Sequence, residues 1–199
     1  MGDASRPRLG GRSKIGGDVE PEVFCSDEQS EIVVDLVRWQ RLAEQVLAAE
    51  GIRGGTELSL IFVSENDIAE LNESFLGKPG PTDVLSFPID APEMDMVPIG
   101  SGATRGPDRA PQDSSDLPML LGDVVICPAV AVAQAPTHAG SVDDELALLV
   151  VHGILHVLGH DHAEAAEATV MRAREMQLLC QLHWHGDAPA NFLQEQPEL

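Results

Sequence analysis

The chain of 199 residues predicts an α+β domain in which a small mixed β-sheet is covered by helices. Three observations carry this. Strand and helix patterns alternate only in part, so a regular doubly wound parallel sheet is not expected. The strand-like runs are short and rich in Val, Ile and Leu, as strands buried against helices are. The helical stretches include an amphipathic one over Glu31–Glu50 and a long one capped by Ser141.

Along the chain, residues 1–19 are Gly- and Arg-rich and lack apolar periodicity, so a disordered tail is expected there. A single domain over 20–185 follows. A short strand is expected at Glu22–Cys25. Val33, Leu36, Val37, Leu42, Val46 and Leu47 recur at helical spacing, which predicts a helix over Glu31–Glu50, stopped by Gly51. Leu58, Leu60, Ile61, Phe62 and Val63 mark a strand over Glu57–Val63. Ser64, with Asp67 three residues on, reads as the cap of a helix running to Leu76.

Gly77, Pro79, Gly80 and Pro81 make a rigid loop before a short strand at Val84–Phe87. Residues 90–117 carry Pro92, Pro98, Pro107 and Pro111 with little apolar content after Ile99, which predicts a flexible insertion. Met119–Ile126 reads as a buried strand interrupted at Gly122-Asp123. Pro128 opens a helix to about Gln134. Ser141, followed by Asp143, Asp144 and Glu145, caps a long helix to Leu158. A last helix is expected over Ala163–Leu182, and a loose tail over 186–199.

Composition narrows function. Against 33 acidic residues stand 12 Lys and Arg, a formal charge of −21, which disfavours non-specific grip on DNA, RNA or anionic membranes. No apolar run is long enough to span a bilayer, and no secretory leader is evident. Cys25, Cys127 and Cys180 are odd in number and form no CxxC; buried small hydrophobes in a reduced cytoplasmic setting are expected.

The chemistry concentrates in His152-Gly153-Ile154-Leu155-His156-Val157-Leu158-Gly159-His160-Asp161-His162. Residues four apart on a helix lie about 40° apart around its axis, one turn along, so His152 and His156 can face one point. Gly159 suits the left-handed turn at which a helix ends, and the chain can fold back to bring His162 to the same point. Three neutral imidazoles with one open position describe a catalytic zinc site. This adds a zincin-like metal site at the end of the long helix to the expected fold.

The spacing equals that of metzincin peptidases, whose Glu after the first His is the general base. Here that residue is Gly153, which cannot transfer a proton, so a peptidase of that mechanism is disfavoured. A three-histidine zinc lowers the pKa of bound water to about 7 without a strong base, so phosphodiester hydrolysis stays open. Asp161 is a candidate to orient an imidazole or accept a proton; it suits a turn equally well. His160 is a minor candidate for a fourth ligand. His138, His183 and His185 have no ligand spacing and read as surface residues.

Three blocks carry a family resemblance. His152–His162 resembles the H-G-x-L-H-x-x-G-y-D-H signature of the YbeY endoribonucleases. Gly80-Pro81-Thr82-Asp83-Val84-Leu85-Ser86-Phe87-Pro88 is similar to their P-T-[DN]-V-L-S-F-P segment, and Leu121-Gly122-Asp123-Val124-Val125-Ile126-Cys127 to their L-G-D-[IL]-V-I-C strand. The resemblance covers about residues 20–182. It implies one zinc ion per chain held by His152, His156 and His162. It implies single-strand-specific RNA cleavage in 16S rRNA 3′-end maturation and ribosome quality control. The implied partners are rRNA, the small ribosomal subunit and one of its proteins, the GTPase Era and a PhoH-like ATPase.

The chain departs from the family at Leu76, where many members carry an Arg credited with a phosphate contact, at Gln134 in place of Glu, and at His160 in place of Tyr. Lys78 is a candidate substitute for the Arg, or a solvated loop lysine. Two other functions stay open: a non-catalytic ribosome-assembly factor of the same fold, and a zinc hydrolase of another substrate.

Overall fold

The structure, a computed structural model, describes residues 21–89, 118–160 and 164–194. The calls made on 1–19, on 90–117 and on Asp161 and His162 lie outside the described residues. Four strands, β1 (Glu22–Asp27), β2 (Thr56–Phe62), β3 (Val84–Pro88) and β4 (Met119–Ile126), form one sheet in the order β1-β2-β4-β3. β1 and β4 run parallel to β2, while β3 is antiparallel to β4. The sheet is therefore mixed, as expected.

Among the described residues five α-helices accompany it: α1 (Leu36–Ala49), α2 (Glu65–Leu76), α3 (Pro128–Gln134), α4 (Val142–Val157) and α5 (Ala165–Leu178). Because side chains alternate across a strand, the sheet feeds two apolar layers. Leu58, Leu60, Phe62, Val124 and Ile126 face the main core with α1 and α4. Ile61, Val125 and Cys127 point to the other face and pack with Ile68 and Leu71 of α2 and with Ala129 and Val130 of α3. Helix α4 buries twelve residues around its whole circumference, which accounts for a sequence that shows no polar stripe.

Three boundaries differ from expectation. Helix α1 begins at Leu36, not Glu31, because Asp35 caps it by accepting from the Arg38 backbone N–H at 3.1 Å; the apolar Val33 ahead of it is fully exposed. β4 is not interrupted at Gly122. Its register shifts by one residue opposite Glu57/Leu58, and Gly122 takes φ +149°, where a Cβ would lie 2.3 Å from the Phe87 carbonyl oxygen. The glycine makes a β-bulge, not a break. The last helix is α-helical only over Ala165–Leu178 and then widens into a π turn, Leu179–His183.

The segment after His185, expected as loose, has no regular secondary structure yet is held as far as Gln194. Phe192 is buried, its ring 4.8 Å from that of Trp184, and the Leu193 N–H donates to the His138 carbonyl at 3.0 Å.

Candidate metal centre

Helix α4 carries the two histidines to one point. It starts at Ser141, whose Oγ accepts from the Asp144 N–H at 3.1 Å. It ends in a Schellman turn: the Gly159 N–H reaches the His156 carbonyl and the His160 N–H the Leu155 carbonyl, both at 2.9 Å, with Gly159 at φ +88°. The role expected of Gly159 is thus borne out.

In the last turns of α4, the Nε2 atoms of His152 and His156 stand 3.1 Å apart. Two imidazole nitrogens at that distance cannot both present protons or both present bare lone pairs without repulsion. Either one donates to the other or both face a cation. Two tetrahedral zinc ligands at about 2.0–2.1 Å from the metal lie roughly 3.3 Å apart, so the spacing fits a shared ion.

Behind the pair lies a carboxylate. His152 Nδ1 is 2.7 Å from Oε1 of Glu175, a buried residue of α5. A carboxylate oxygen accepts, so Nδ1 is the donor and the His152 lone pair is directed through Nε2. This is the arrangement that orients metal-bound histidines. The residues present therefore fit a metal ion, although among the described residues no group of three potential ligands gathers.

Gly153 has a packing reason. A Cβ there would lie 2.5 Å from Val124 Cγ1 and 3.3 Å from Ser86 Oγ. The Ser86 hydroxyl donates to the Gly153 carbonyl at 3.1 Å. Helix α4 thus crosses β3 and β4 too closely for any side chain, let alone a glutamate. The three sequence blocks meet at this crossing, Ser86 and Gly153 being 67 residues apart in the chain.

The sequence profile of the family "Endoribonuclease YbeY" matches residues 24–183. The chain belongs to the YbeY family. It is 44% identical over 160 residues to "Endoribonuclease YbeY" of Acidothermus cellulolyticus, covering 80% of this chain and 89% of that protein. It is 41% identical over 151 residues to the namesake of Thermobifida fusca, covering 76% and 88%. The solution structure of TM1509 from Thermotoga maritima shares the fold, with a TM-score of 0.52 at 24% identity over 82% of this chain and 90% of that one. The family expected from the three blocks is the one found.

The other residues singled out by sequence fall as follows in this YbeY chain. Lys78 is exposed, and among the described residues its ammonium forms no ion pair or hydrogen bond; Leu76 nearby is exposed too. His160 faces Glu50, which caps the C-terminus of α1, Nε2 to Oε2 3.9 Å, and Glu50 also takes the Arg174 guanidinium at 2.6 Å.

His138 and His183 are not the surface residues expected. His138 Nδ1 lies 2.8 and 2.9 Å from the two oxygens of wholly buried Glu145. His183 Nε2 lies 2.9 Å from Asp144 Oδ1, which also accepts from Trp184 Nε1 at 2.6 Å. His185 is exposed, as expected. All three cysteines are free thiols and Cys127 is buried. Burial, then the nearby Asp27 charge, pushes the Cys25 thiol up to about 11, so it is inert rather than nucleophilic.

Glu175 was missed, and a signal existed. Ala168, Met171, Glu175 and Leu178, spaced three, four and three apart, are the residues α5 buries. A glutamate on an apolar stripe needs a buried partner.

Proposed function

We propose that this chain is a zinc-dependent, single-strand-specific endoribonuclease acting in 16S rRNA 3′-end maturation and ribosome quality control. The observation that carries it is the Nε2 pair of His152 and His156, backed by Glu175, in a chain whose relatives are named endoribonucleases. His152, His156 and His162 would hold the ion. When bound, zinc supplies a water of lowered pKa and a Lewis acid for a phosphoryl oxygen.

The chain's own residues do the rest. Glu175 holds His152 in the tautomer that offers Nε2. Gly153 admits no side-chain base at the metzincin position, so Asp161 is the candidate proton acceptor within the signature. Lys78 offers an exposed cation to a phosphate, where Leu76 cannot. On this reading the setting is cytoplasmic, and the partners are rRNA, the small subunit with one of its proteins, Era and a PhoH-like ATPase. Among the described residues no helix is long and apolar enough to cross a membrane.

Elemental analysis of the purified protein should give one zinc per chain. Less than about half an equivalent argues against the site. The zinc-loaded protein should cut single-stranded RNA and spare duplex, and His156→Ala should abolish cutting. If zinc is bound and RNA stays intact, the exposed Leu76 and the charge of −21 favour the non-catalytic assembly factor.

A further inference from the structure

The carboxylate behind His152 is itself held from the far end of the chain. Glu175 Oε1 takes the Nδ1 proton of His152 at 2.7 Å. Glu175 Oε2 accepts a hydrogen bond from the side-chain amide of Gln194. The same amide nitrogen donates to the Arg172 carbonyl at 3.2 Å, one turn back on α5. Gln194 is in turn placed by its neighbours: Phe192 is buried against Trp184, and the Leu193 N–H is bonded to the His138 carbonyl. Residues 186–194 thus form a strap across α5 and the start of α4. Its last described side chain completes the hydrogen bonding of the carboxylate.

From this geometry we infer that Glu175 and Gln194 are a positioning pair for the metal centre, and that the strap, rather than being a dispensable tail, is part of the site's support. Gln194 fixes which way the carboxylate plane turns. The carboxylate fixes the His152 tautomer and ring angle, and the ring delivers Nε2 to within 3.1 Å of its His156 counterpart. Neither residue touches the substrate. Both act through His152, and the inference rests on the metal-site reading above.

The consequence is a graded loss of zinc affinity without loss of any ligand. Partners of this kind typically contribute about 10–100-fold to metal affinity. Zinc affinity is measured by chelator competition on the full-length protein. In parallel, 15N NMR of the imidazoles in metal-free protein reads the tautomer of His152. Glu175→Ala should weaken zinc about 10–100-fold and mix the two tautomers. Glu175→Gln, which keeps an acceptor oxygen, should recover part of both. Gln194→Ala should move both readouts the same way by less, with the fold intact because the variant leaves α5 and its buried face unchanged.

If wild-type protein binds no zinc, the metal-site reading fails. If it binds zinc, and Gln194→Ala and Glu175→Gln match it in affinity and in the His152 tautomer, the positioning role is wrong while the metal site stands.

Discussion

At Gly153 a single residue joins the sheet to the candidate metal centre. Alanine there would gain about 1 kcal/mol in helix propensity. It would also press a Cβ against Val124 Cγ1 at 2.5 Å, and overpacking of this kind costs about 1–3 kcal/mol. Val124 is fully buried on a central strand and has nowhere to turn. Gly153→Ala should therefore lower stability by up to about 2 kcal/mol net, seen as a lower urea midpoint with unchanged slope. It should also weaken zinc, since His152 precedes it directly. Pairing it with Val124→Ala, which removes the clashing methyls, should restore zinc affinity more than stability. A Gly153→Ala protein as stable and as tight for zinc as wild type would mean that α4 can lift off the sheet freely. The sequence showed that Gly153 is no base. It held no sign of why, because the reason lies in Ser86 and Val124, residues remote in the chain.

Helix α4 works at both ends, and only one end was legible. The i, i+4 histidines and the Gly159 stop are local signals, so the C-terminal end was readable down to the left-handed turn. The N-terminal acids were read as partners of the helix dipole, which Asp143, exposed and paired with Arg38 at 2.8 Å, still allows. Asp144 and Glu145 instead turn inward to His183 and His138, pairings that require knowing how the chain after α5 and the α3–α4 connection pack. Burial raises the Asp144 pKa, but hydrogen bonds from Ser141, Trp184 and His183, together with the His183 charge, outweigh it and hold the carboxyl below its ordinary value. A depressed folded pKa means stability that is fully present above the unfolded value and lost as pH falls through the folded one. Unfolding midpoints of wild type should therefore drop on acidification below about pH 4. Asp144→Asn should be less stable at neutral pH by about 1–3 kcal/mol and should show a flatter acid limb. An acid limb identical to wild type would show that the carboxylate contributes no pH-dependent stability.

Across the whole molecule the charge of −21 sets how RNA can be held. The described residues carry six Arg and Lys: Arg38, Arg41, Arg53, Lys78, Arg172 and Arg174. Arg38 and Arg174 are committed to Asp143 and Glu50, and Arg53 donates to the Ala48 and Ile52 carbonyls at 2.8 Å. Few cations remain to meet phosphates, and a strongly acidic surface repels the rest of the strand. Binding of single-stranded RNA should then depend only shallowly on salt. Each phosphate neutralised on a single strand adds about −0.7 to the slope of log K against log salt. Lys78→Ala should weaken binding uniformly across sequences and flatten that slope by about 0.7. Replacing Arg6, Arg8, Arg12 and Lys14 by Gln tests the other source of positive charge. If that variant flattens the slope by more than Lys78→Ala does, the N-terminal cations supply most of the phosphate contacts. If neither change moves the slope, no lysine or arginine tested here meets the backbone. Recognition then rests on the remaining arginines (Arg41, Arg105, Arg109 and Arg172), on uncharged contacts or on the candidate metal centre, whose share chelation would reveal as a loss of RNA binding along with zinc.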